Sequence, residues 1–272
     1  MFRDRLAIAI LLVPVTLWIV EVGGLLYALC VGAMLALAGA EYVRLFRRGG
    51  HRPAMPLVTV GVVAMMLARY FGGSQTTLTV LSLAAVLAAA WHLTEYERGA
   101  PASGTDFAIT LGGITYLGLL GGYLVSLRQL PDGKWWTLLV LPGVWLVDSG
   151  AYSIGRAFGR HKMVPRLSPH KTWEGYAGGI LSGILLVALF GGIWRVGAGP
   201  GSQITVLNGA LMGGVLGIVT PVGDLAISMM KRQFSLKDTG ALLAGHGGAL
   251  DRIDSWLVAG WVGYLLADWM QR

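Results

Sequence analysis

The densest group of polar side chains in this sequence lies in residues 223–254, and its residue types suit phosphate and cation chemistry. Aspartate oxygens are preferred ligands of Mg²⁺, while lysine and arginine side chains bind phosphates. Carboxylates without cysteine ligands, flanked by basic residues, are what Mg²⁺-dependent phosphoryl transfer requires. The candidate catalytic residues are Asp224, Ser228, Lys231, Arg232, Lys237, Asp251, Arg252 and Asp254.

Helical spacing predicts that several of these side chains face the same way. At about 100° per residue, one helix face would hold Asp224, Ser228, Lys231 and Arg232. Asp251 and Asp254 are three residues apart and would also share a face. Three carboxylates near a lipid interface repel one another unless a cation lies between them. We therefore predict a metal site formed by Asp224, Asp251 and Asp254.

A second polar segment begins inside an apolar run at Asp148. A carboxylate at such depth is costly, so it indicates a functional site that faces protein or water. Asp148, Tyr152 and Arg156 recur every four residues and share a helix face; an internal Asp–Arg pair that locks the helix is the alternative. Residues 168–174 are typical of a helix start, where Lys171 and Thr172 could bind a phosphate.

The composition indicates an integral membrane protein. Of 272 residues, 55% are hydrophobic and only 13% are charged, against about 25% charged in soluble domains. Mean hydropathy is +0.65. The net charge of +7 comes without a polybasic tail, so it favours membrane topology over nucleic-acid binding. Cys30 is the single cysteine, which excludes an intrachain disulfide and a cysteine zinc site.

Hydropathy predicts an all-α, polytopic membrane protein with about nine transmembrane helices. The nine segments are residues 6–20, 24–43, 56–71, 76–93, 107–127, 135–153, 175–194, 206–230 and 255–270. Residues 1–135 would form an N-terminal membrane region with about five helices, and residues 136–272 a catalytic membrane region with cytoplasmic loops. Sixteen of the 21 lysines and arginines fall on one side, which predicts a cytoplasmic N-terminus and active site in the cell (inner) membrane.

Glycines recur at every fourth position in two of the predicted helices. One stripe holds Gly175, Gly179 and Gly183, and the other holds Gly209, Gly213 and Gly217. Small residues at this spacing allow a neighbouring helix to approach closely. We predict that the stripes serve helix packing; the unwound hinge of a transporter is the alternative.

The two polar segments resemble a known family. The stretch from Ser228, with the pattern Ser-x-x-Lys-Arg-x-x-x-x-Lys-Asp-x-Gly-x-x-Leu-x-x-His-Gly-Gly-x-x-Asp-Arg-x-Asp, resembles the signature of phosphatidate cytidylyltransferases (CDP-diacylglycerol synthases). The stretches around Asp148 and residues 168–175 also resemble that family. Ala244, Ala249 and His170 depart from the family's usual residues, and His170 lacks the fixed charge of the usual lysine.

The resemblance implies that CTP and phosphatidic acid react to give CDP-diacylglycerol and pyrophosphate in phospholipid biosynthesis. It also implies a divalent cation and a homodimer. On this basis Mg²⁺ is the expected cofactor, with the number of cations left open, and the basic candidates would hold phosphates. The residues expected to bind the nucleotide are Lys171, Thr172, His246, Gly247 and Gly248. For His246 a turn residue, a phosphate contact and a proton shuttle all stay open.

Two other classes of function fit parts of the sequence. A CTP-dependent polyprenol kinase or an archaeal-type lipid cytidylyltransferase would share CTP, Mg²⁺ and a membrane acceptor. A transporter would also contain intramembrane aspartate and glycine-rich helices. The absence of inverted repeats from the sequence, and carboxylates gathered near the membrane surface, favour the enzyme.

Overall fold

The computed structural model describes residues 13–240 and 247–272. Its helices are α1 (Val13–Val22), α2 (Gly24–Arg48), α3 (Met55–Glu97), α4 (Ser103–Gly113), α5 (Leu120–Gln129), α6 (Gly133–Phe158), α7 (Trp173–Ala198), α8 (Val206–Gln233) and α9 (Leu250–Met270). A π-helical stretch, Ile114–Leu119, joins α4 to α5. Two short antiparallel strands, β1 (Lys162–Val164) and β2 (Ser168–Thr172), lie between α6 and α7.

The all-α membrane fold is confirmed, with fewer long apolar helices among the described residues than the nine predicted spans. Six helices of the described part of the chain are long and apolar enough to cross a membrane. The 43-residue α3 contains two of the predicted spans as two arms that meet at Gly73, whose backbone angles are not helical (φ 69°, ψ −155°). The Thr110 hydroxyl lies 3.0 Å from the Ala54 N–H, before the first arm, and 2.9 Å from His92 in the second arm, so the chain turns back at Gly73. The first predicted span lies partly outside the described residues. The last forms α9, which is helical but not among the six.

The chain divides into two compact units. The first takes the chain up to Ser126 together with Met230–Ile253, and the second holds Leu127–Met229 and Asp254–Arg272. The predicted division at residues 135/136 separated an N-terminal membrane region from a catalytic membrane region, and it stays a prediction. In the first unit, Ala28 of α2, Met66 of α3 and Val125 of α5 form a buried cluster. The hydroxyl of Tyr42 donates to the carbonyl of Ile109 across 3.0 Å, which joins α2 to α4.

The second unit is built on close packing of α6, α7 and α8. Its buried core includes Trp136, Leu139 and Val140 of α6, with Val187 of α7 and Leu216 of α8. Both glycine stripes are used for packing, as predicted: a Cβ on Gly183 would meet the carbonyl of Gly213, and one on Gly217 would meet the backbone of Ile180. Glycine is required there because the two helix backbones approach too closely for a side chain.

The hairpin of β1 and β2 was not predicted from the sequence patterns. Its strands are three and five residues long, too short for strand alternation to give a clear signal. The predicted helix start is confirmed, because α7 begins at Trp173 and Thr172 accepts the backbone N–H of Gly175 at 3.1 Å. The hairpin therefore leads directly into the N-terminus of α7.

Candidate active site

A cavity of about 620 Å³ lies within the second unit. Residues of α6, the hairpin, the start of α7 and α8 form its wall. Its polar lining consists of Asp148, Tyr152, Arg156, Lys162, His170, Lys171, Thr172, Tyr176 and Asp224. Three fixed cations and two carboxylates thus face one concave space, which is the charge pattern expected of a site for a phosphate-rich ligand.

The α6 side of this cavity comes from one helix face. Asp148, Tyr152 and Arg156 follow each other at four-residue intervals and all line the cavity, as the spacing predicted. The guanidinium of Arg156 donates to the hydroxyl of Tyr152 at 3.2 Å. Among the described side chains no ion pair joins Asp148 to Arg156, so the alternative of a locking pair within the helix is not what the structure contains.

An ion pair crosses the cavity from β2 to α8. Lys171 Nζ lies 2.5 Å from Oδ2 of Asp224, and the other carboxylate oxygen accepts the hydroxyl of Ser228 at 3.3 Å. The hairpin carries Lys171 to this position, since β2 ends at Thr172 beside α6. Gly155 makes the approach possible because a Cβ there would lie 3.1 Å from Oγ1 of Thr172 and 3.3 Å from Cα of Gly175.

Thr172 caps the N-terminus of α7, and this restricts the phosphate-binding role predicted for it. Its hydroxyl oxygen already accepts the Gly175 N–H as the N-cap of α7. Glu174 closes the base of the hairpin, where its carboxylate accepts the backbone N–H of Arg160 at 3.1 Å and pairs with His161 Nδ1 at 2.5 Å. The start of α7 is thus fixed by its own side chains. Lys171 and Thr172 both line the cavity, and Lys171 is the member of the predicted phosphate pair that brings a charge to it.

The first unit contains a second polar cluster, around Asp251, which is one of the three predicted metal ligands. Lys231 Nζ lies 2.6 Å from Oδ1 of Asp251, while Oδ2 accepts the Thr239 N–H at 2.9 Å and the Gly248 N–H at 3.1 Å. The Thr239 hydroxyl lies between Asp251 Oδ2 (2.9 Å) and Glu41 Oε2 (3.0 Å) and shares its one proton between them. Burial raises the pKa of Asp251, but the bonds from Lys231, Thr239 and Gly248 outweigh it and hold this pKa below its ordinary value. Asp251 is therefore a carboxylate with protein donors on both oxygens.

Glu41 belongs to this cluster and was missed in the sequence. It is 3% exposed, and its Oε2 accepts the Thr239 hydroxyl at 3.0 Å and the Leu250 N–H at 2.9 Å. The signal that singled out Asp148, a carboxylate in an apolar helix, was also present for Glu41 in the predicted span of residues 24–43. Its partners lie 198 and 209 residues further along the chain, so the pattern around it could not show them.

The remaining predicted residues occupy varied environments. Arg232 donates to the carbonyl of Leu236 at 3.0 Å, and Lys237 and Arg252 are exposed. Asp254 is 9% exposed, and its backbone packs against Gly223, where a Cβ would meet the Asp254 carbonyl. Gly247 has φ 76°, a backbone angle that favours glycine. His246 lies outside the described residues.

Comparison with known proteins gives a match along nearly the whole chain. Residues 3–270 match the model of the cytidylyltransferase family. The chain belongs to the cytidylyltransferase family. Proteins named phosphatidate cytidylyltransferase are similar to it in Pseudomonas aeruginosa (36% identity, 94% of this chain and 93% of the relative) and Brucella suis (34%, 97% and 92%). One from Bacillus subtilis is 31% identical over 94% of this chain and 93% of its own length.

The carboxylates of the cavity could hold a divalent cation together with a phosphate ligand. Mg²⁺ is usually held in proteins by one or two carboxylates together with substrate phosphates. Asp148 and Asp224 line one cavity with three cations, so this donor set fits Mg²⁺ bound with a phosphate ligand. Within residues 13–240 and 247–272 no group of three or more acidic, histidine or cysteine side chains could hold a metal. The trio Asp224, Asp251 and Asp254 stays a prediction.

Proposed function

We propose that this chain transfers the cytidylyl group of CTP to phosphatidate and forms CDP-diacylglycerol and pyrophosphate. The observation that carries the proposal is the cavity of the second unit, where Arg156, Lys162 and Lys171 face Asp148 and Asp224. The family match along residues 3–270 supports the same reaction, and so do the names of the relatives. Six apolar helices suit a lipid acceptor that keeps its acyl chains in a bilayer.

The reaction itself asks little proton chemistry of the protein. A phosphate oxygen of phosphatidate, already anionic at neutral pH, attacks the α-phosphorus of CTP. The new bond joins that oxygen to the α-phosphorus, and the bond from the α-phosphorus to the β-phosphate bridging oxygen breaks. Pyrophosphate leaves with the bonding electrons. No general base is needed, so the site must neutralise charge and hold two anions together.

The basic side chains of the cavity match that requirement. Lys171, Arg156 and Lys162 would donate hydrogen bonds to phosphate oxygens and offset the repulsion between the two anions. Asp148 and Asp224 would hold Mg²⁺, which when bound neutralises phosphate charge. Because Lys171 already pairs with Asp224, a phosphate entering the cavity would take over the Lys171 ammonium and leave the carboxylate to the cation.

Several expectations extend this proposal to other residues. Lys231, Arg232, Lys237 and Arg252 are proposed phosphate contacts, and Ser228 a donor to a phosphate. The backbone at Gly247 and Gly248 is proposed to lie against the nucleotide, with His246 beside it. Asp251 and Asp254 stay proposed metal ligands. Asp251 would have to exchange protein donors for the cation, because Lys231, Thr239 and Gly248 now occupy its oxygens.

The protein is a multi-pass membrane protein, and we propose that its N-terminus and active site face the cytoplasm. Sixteen of the 21 lysines and arginines lie on that side of the predicted topology, and CTP is a cytosolic metabolite. Reporter fusions at both ends of the chain would test the orientation. A homodimer also stays a proposal, which the mass of the detergent-solubilised particle would test.

Position-specific labels of CTP separate the proposed reaction from its alternatives. Purified protein is incubated with Mg²⁺, phosphatidate and CTP labelled with ³²P at either the α- or the γ-phosphate. Cytidylyl transfer places only the α-label in the lipid phase, and EDTA abolishes it. A parallel reaction contains polyprenol in place of phosphatidate, and a γ-label in its lipid phase would indicate a kinase. Folded protein that labels neither lipid would contradict an enzyme of this class and favour transport.

A further inference from the structure

The carboxylate of Glu41 in α2 accepts hydrogen bonds from two residues near Asp251, Thr239 and Leu250. One donor is the hydroxyl of Thr239 at 3.0 Å, and the other is the backbone N–H of Leu250 at 2.9 Å. Leu250 is the first residue of α9, whose N–H has no acceptor within the helix. Glu41 therefore caps the start of α9 from a different helix.

The chain on both sides of this contact is shaped around the Glu41 carboxylate. A Cβ on Gly240 would lie 2.5 Å from Oε1 and 2.9 Å from Cδ of Glu41, and its three nearest atoms all belong to Glu41. A Cβ on Gly248 would meet Oε2 of Glu41. Neither glycine has a positive φ, so the reason for glycine here is space and not backbone angle. Gly240 and Gly248 therefore both lie directly against the Glu41 carboxylate.

Thr239 transmits this arrangement to Asp251. Its Oγ1 lies 3.0 Å from Oε2 of Glu41 and 2.9 Å from Oδ2 of Asp251, and its N–H donates to the same Asp251 oxygen. Lys231 holds the other oxygen of Asp251. An aromatic contact joins the same part of the chain to α2, since the ring centroids of Phe234 and Phe46 lie 5.4 Å apart. Asp251 thus has its orientation set from α2.

We propose that Glu41 is a positioning residue for the reaction: by binding Thr239 and the start of α9, it holds Asp251 and Lys231 in the geometry that the substrate phosphates require. The inference rests on the proposed function. Glu41 itself is 3% exposed and is covered by the segment, so it acts through Thr239 and not by touching substrate. A carboxylate suits the position because one oxygen can accept both donors while the other faces Gly240.

A double-substitution cycle tests the contact. Gly240→Ala is expected to lower kcat about 10- to 100-fold, because its methyl group collides with Glu41 and displaces the segment. Glu41→Ala is expected to lower kcat by a similar factor with KM for phosphatidate within about twofold of wild type. In the double variant the methyl group meets no carboxylate, so its kcat should equal that of Glu41→Ala alone. Independent, multiplying losses would overturn the proposal.

Conservative and control variants separate positioning from general destabilisation. Glu41→Gln keeps an oxygen acceptor of the same length and should retain more kcat than Glu41→Ala. Tyr42→Phe removes a buried hydroxyl of the same helix that bonds to Ile109, and it should keep the wild-type kcat. A Glu41→Ala protein with wild-type kcat, or a Tyr42→Phe protein that loses as much, would refute a specific role of Glu41.

A measurement without substrate keeps this inference distinct from the proposed reaction. Backbone hydrogen–deuterium exchange of the wild type and Glu41→Ala is compared in peptides that cover residues 237–240 and 247–253. We expect at least about tenfold faster exchange at Thr239 and Leu250 in Glu41→Ala, with no change in Tyr42→Phe. Unchanged exchange would overturn the inference. If the wild type were inactive but exchange were still faster in Glu41→Ala, the proposed reaction would be refuted. Glu41 would then hold Thr239 and Leu250 in place, and its role in catalysis would be rejected together with the reaction.

Discussion

The ammonium group of Lys171 in β2 lies 2.5 Å from the carboxylate of Asp224 in α8, inside the cavity of the second unit. Their side chains are 29% and 36% exposed, so this pair adds at most about 1 kcal/mol to stability. Its significance lies in its position. An ion pair at the wall of a polar cavity can exchange each member for a ligand of the same charge, a phosphate for the carboxylate and a cation for the ammonium.

Loss of the Lys171 charge should weaken binding of CTP. We expect Lys171→Met to raise KM for CTP about 10- to 100-fold, because a hydrogen bond to a charged group contributes about 1.5–3 kcal/mol. Lys134→Met is a matched control, since Lys134 lies over the ring of Trp135 and does not line the cavity. Steady-state kinetics at varied CTP would measure both. Equal KM values in the two variants would exclude Lys171 from the CTP site.

Loss of the Asp224 charge should weaken the binding of Mg²⁺. We expect Asp224→Asn to need about tenfold or more Mg²⁺ for half-maximal activity, since an amide oxygen is a poorer ligand than a carboxylate. A magnesium titration of the activity, after treatment with EDTA, provides the measurement. The control is Asp268→Asn, a half-buried aspartate that pairs with Arg272 at 2.6 Å and does not line the cavity. If Asp224→Asn kept near-normal activity and the same magnesium titration, Asp224 would not be a ligand.

The contribution of Asp251 to stability should disappear in acid. Its pKa in the folded protein lies below the ordinary value of about 3.9, because the bonds from Lys231, Thr239 and Gly248 outweigh burial. Such a group stabilises the fold above its unfolded pKa, and this stability is lost as the pH falls through the folded pKa. We expect Tm of Asp251→Asn to lie below wild type by a constant amount near pH 6–7 and to approach it below about pH 4.

Thermal unfolding in detergent at several pH values would measure this difference. Asp238→Asn is the control, because Asp238 is an exposed aspartate on the same segment and its substitution should change stability by less than about 0.5 kcal/mol at every pH. A Tm difference for Asp251→Asn that stays the same down to pH 3 would show that the folded and unfolded pKa values of Asp251 do not differ.

The packing of α7 on α8 should not tolerate one extra methyl group. We expect Gly213→Ala to destabilise the protein by about 1–3 kcal/mol, because a Cβ there would meet the carbonyl of Gly183 and neither backbone can move alone. Gly104→Ala is the same substitution in α4 at a position with open space around it, and it should leave Tm unchanged or slightly raised. Equal Tm values for the two variants would contradict the close approach of these helices.

Sequence patterns determined the features that depend on local spacing. A low fraction of charged residues identified the membrane protein, because a bilayer selects apolar helices whatever their neighbours are. The glycines at every fourth position predicted close packing against a neighbouring helix, since helical periodicity alone places them on one face. Which helices pack there was decided by the tertiary structure. The same periodicity put Asp148, Tyr152 and Arg156 on one wall of the cavity. Each of these conclusions needs only one or two helices.

The break between the two arms of α3 was also visible in the sequence. Hydropathy separates the two predicted spans at Gly72, Gly73 and Ser74, and the structure breaks the helix at Gly73, where φ is 69°. The hairpin of β1 and β2 was missed because strands of three and five residues leave too little alternation to detect.

The partners of the charged side chains were decided by tertiary structure alone. Lys171 and Asp224 are brought together by the hairpin, and Glu41 meets residues 198 and 209 positions away. A sequence shows that a buried carboxylate must find donors, because leaving it unsatisfied is costly. Which donors it finds depends on how distant helices pack, and that packing brings Glu41 to the segment that holds Asp251.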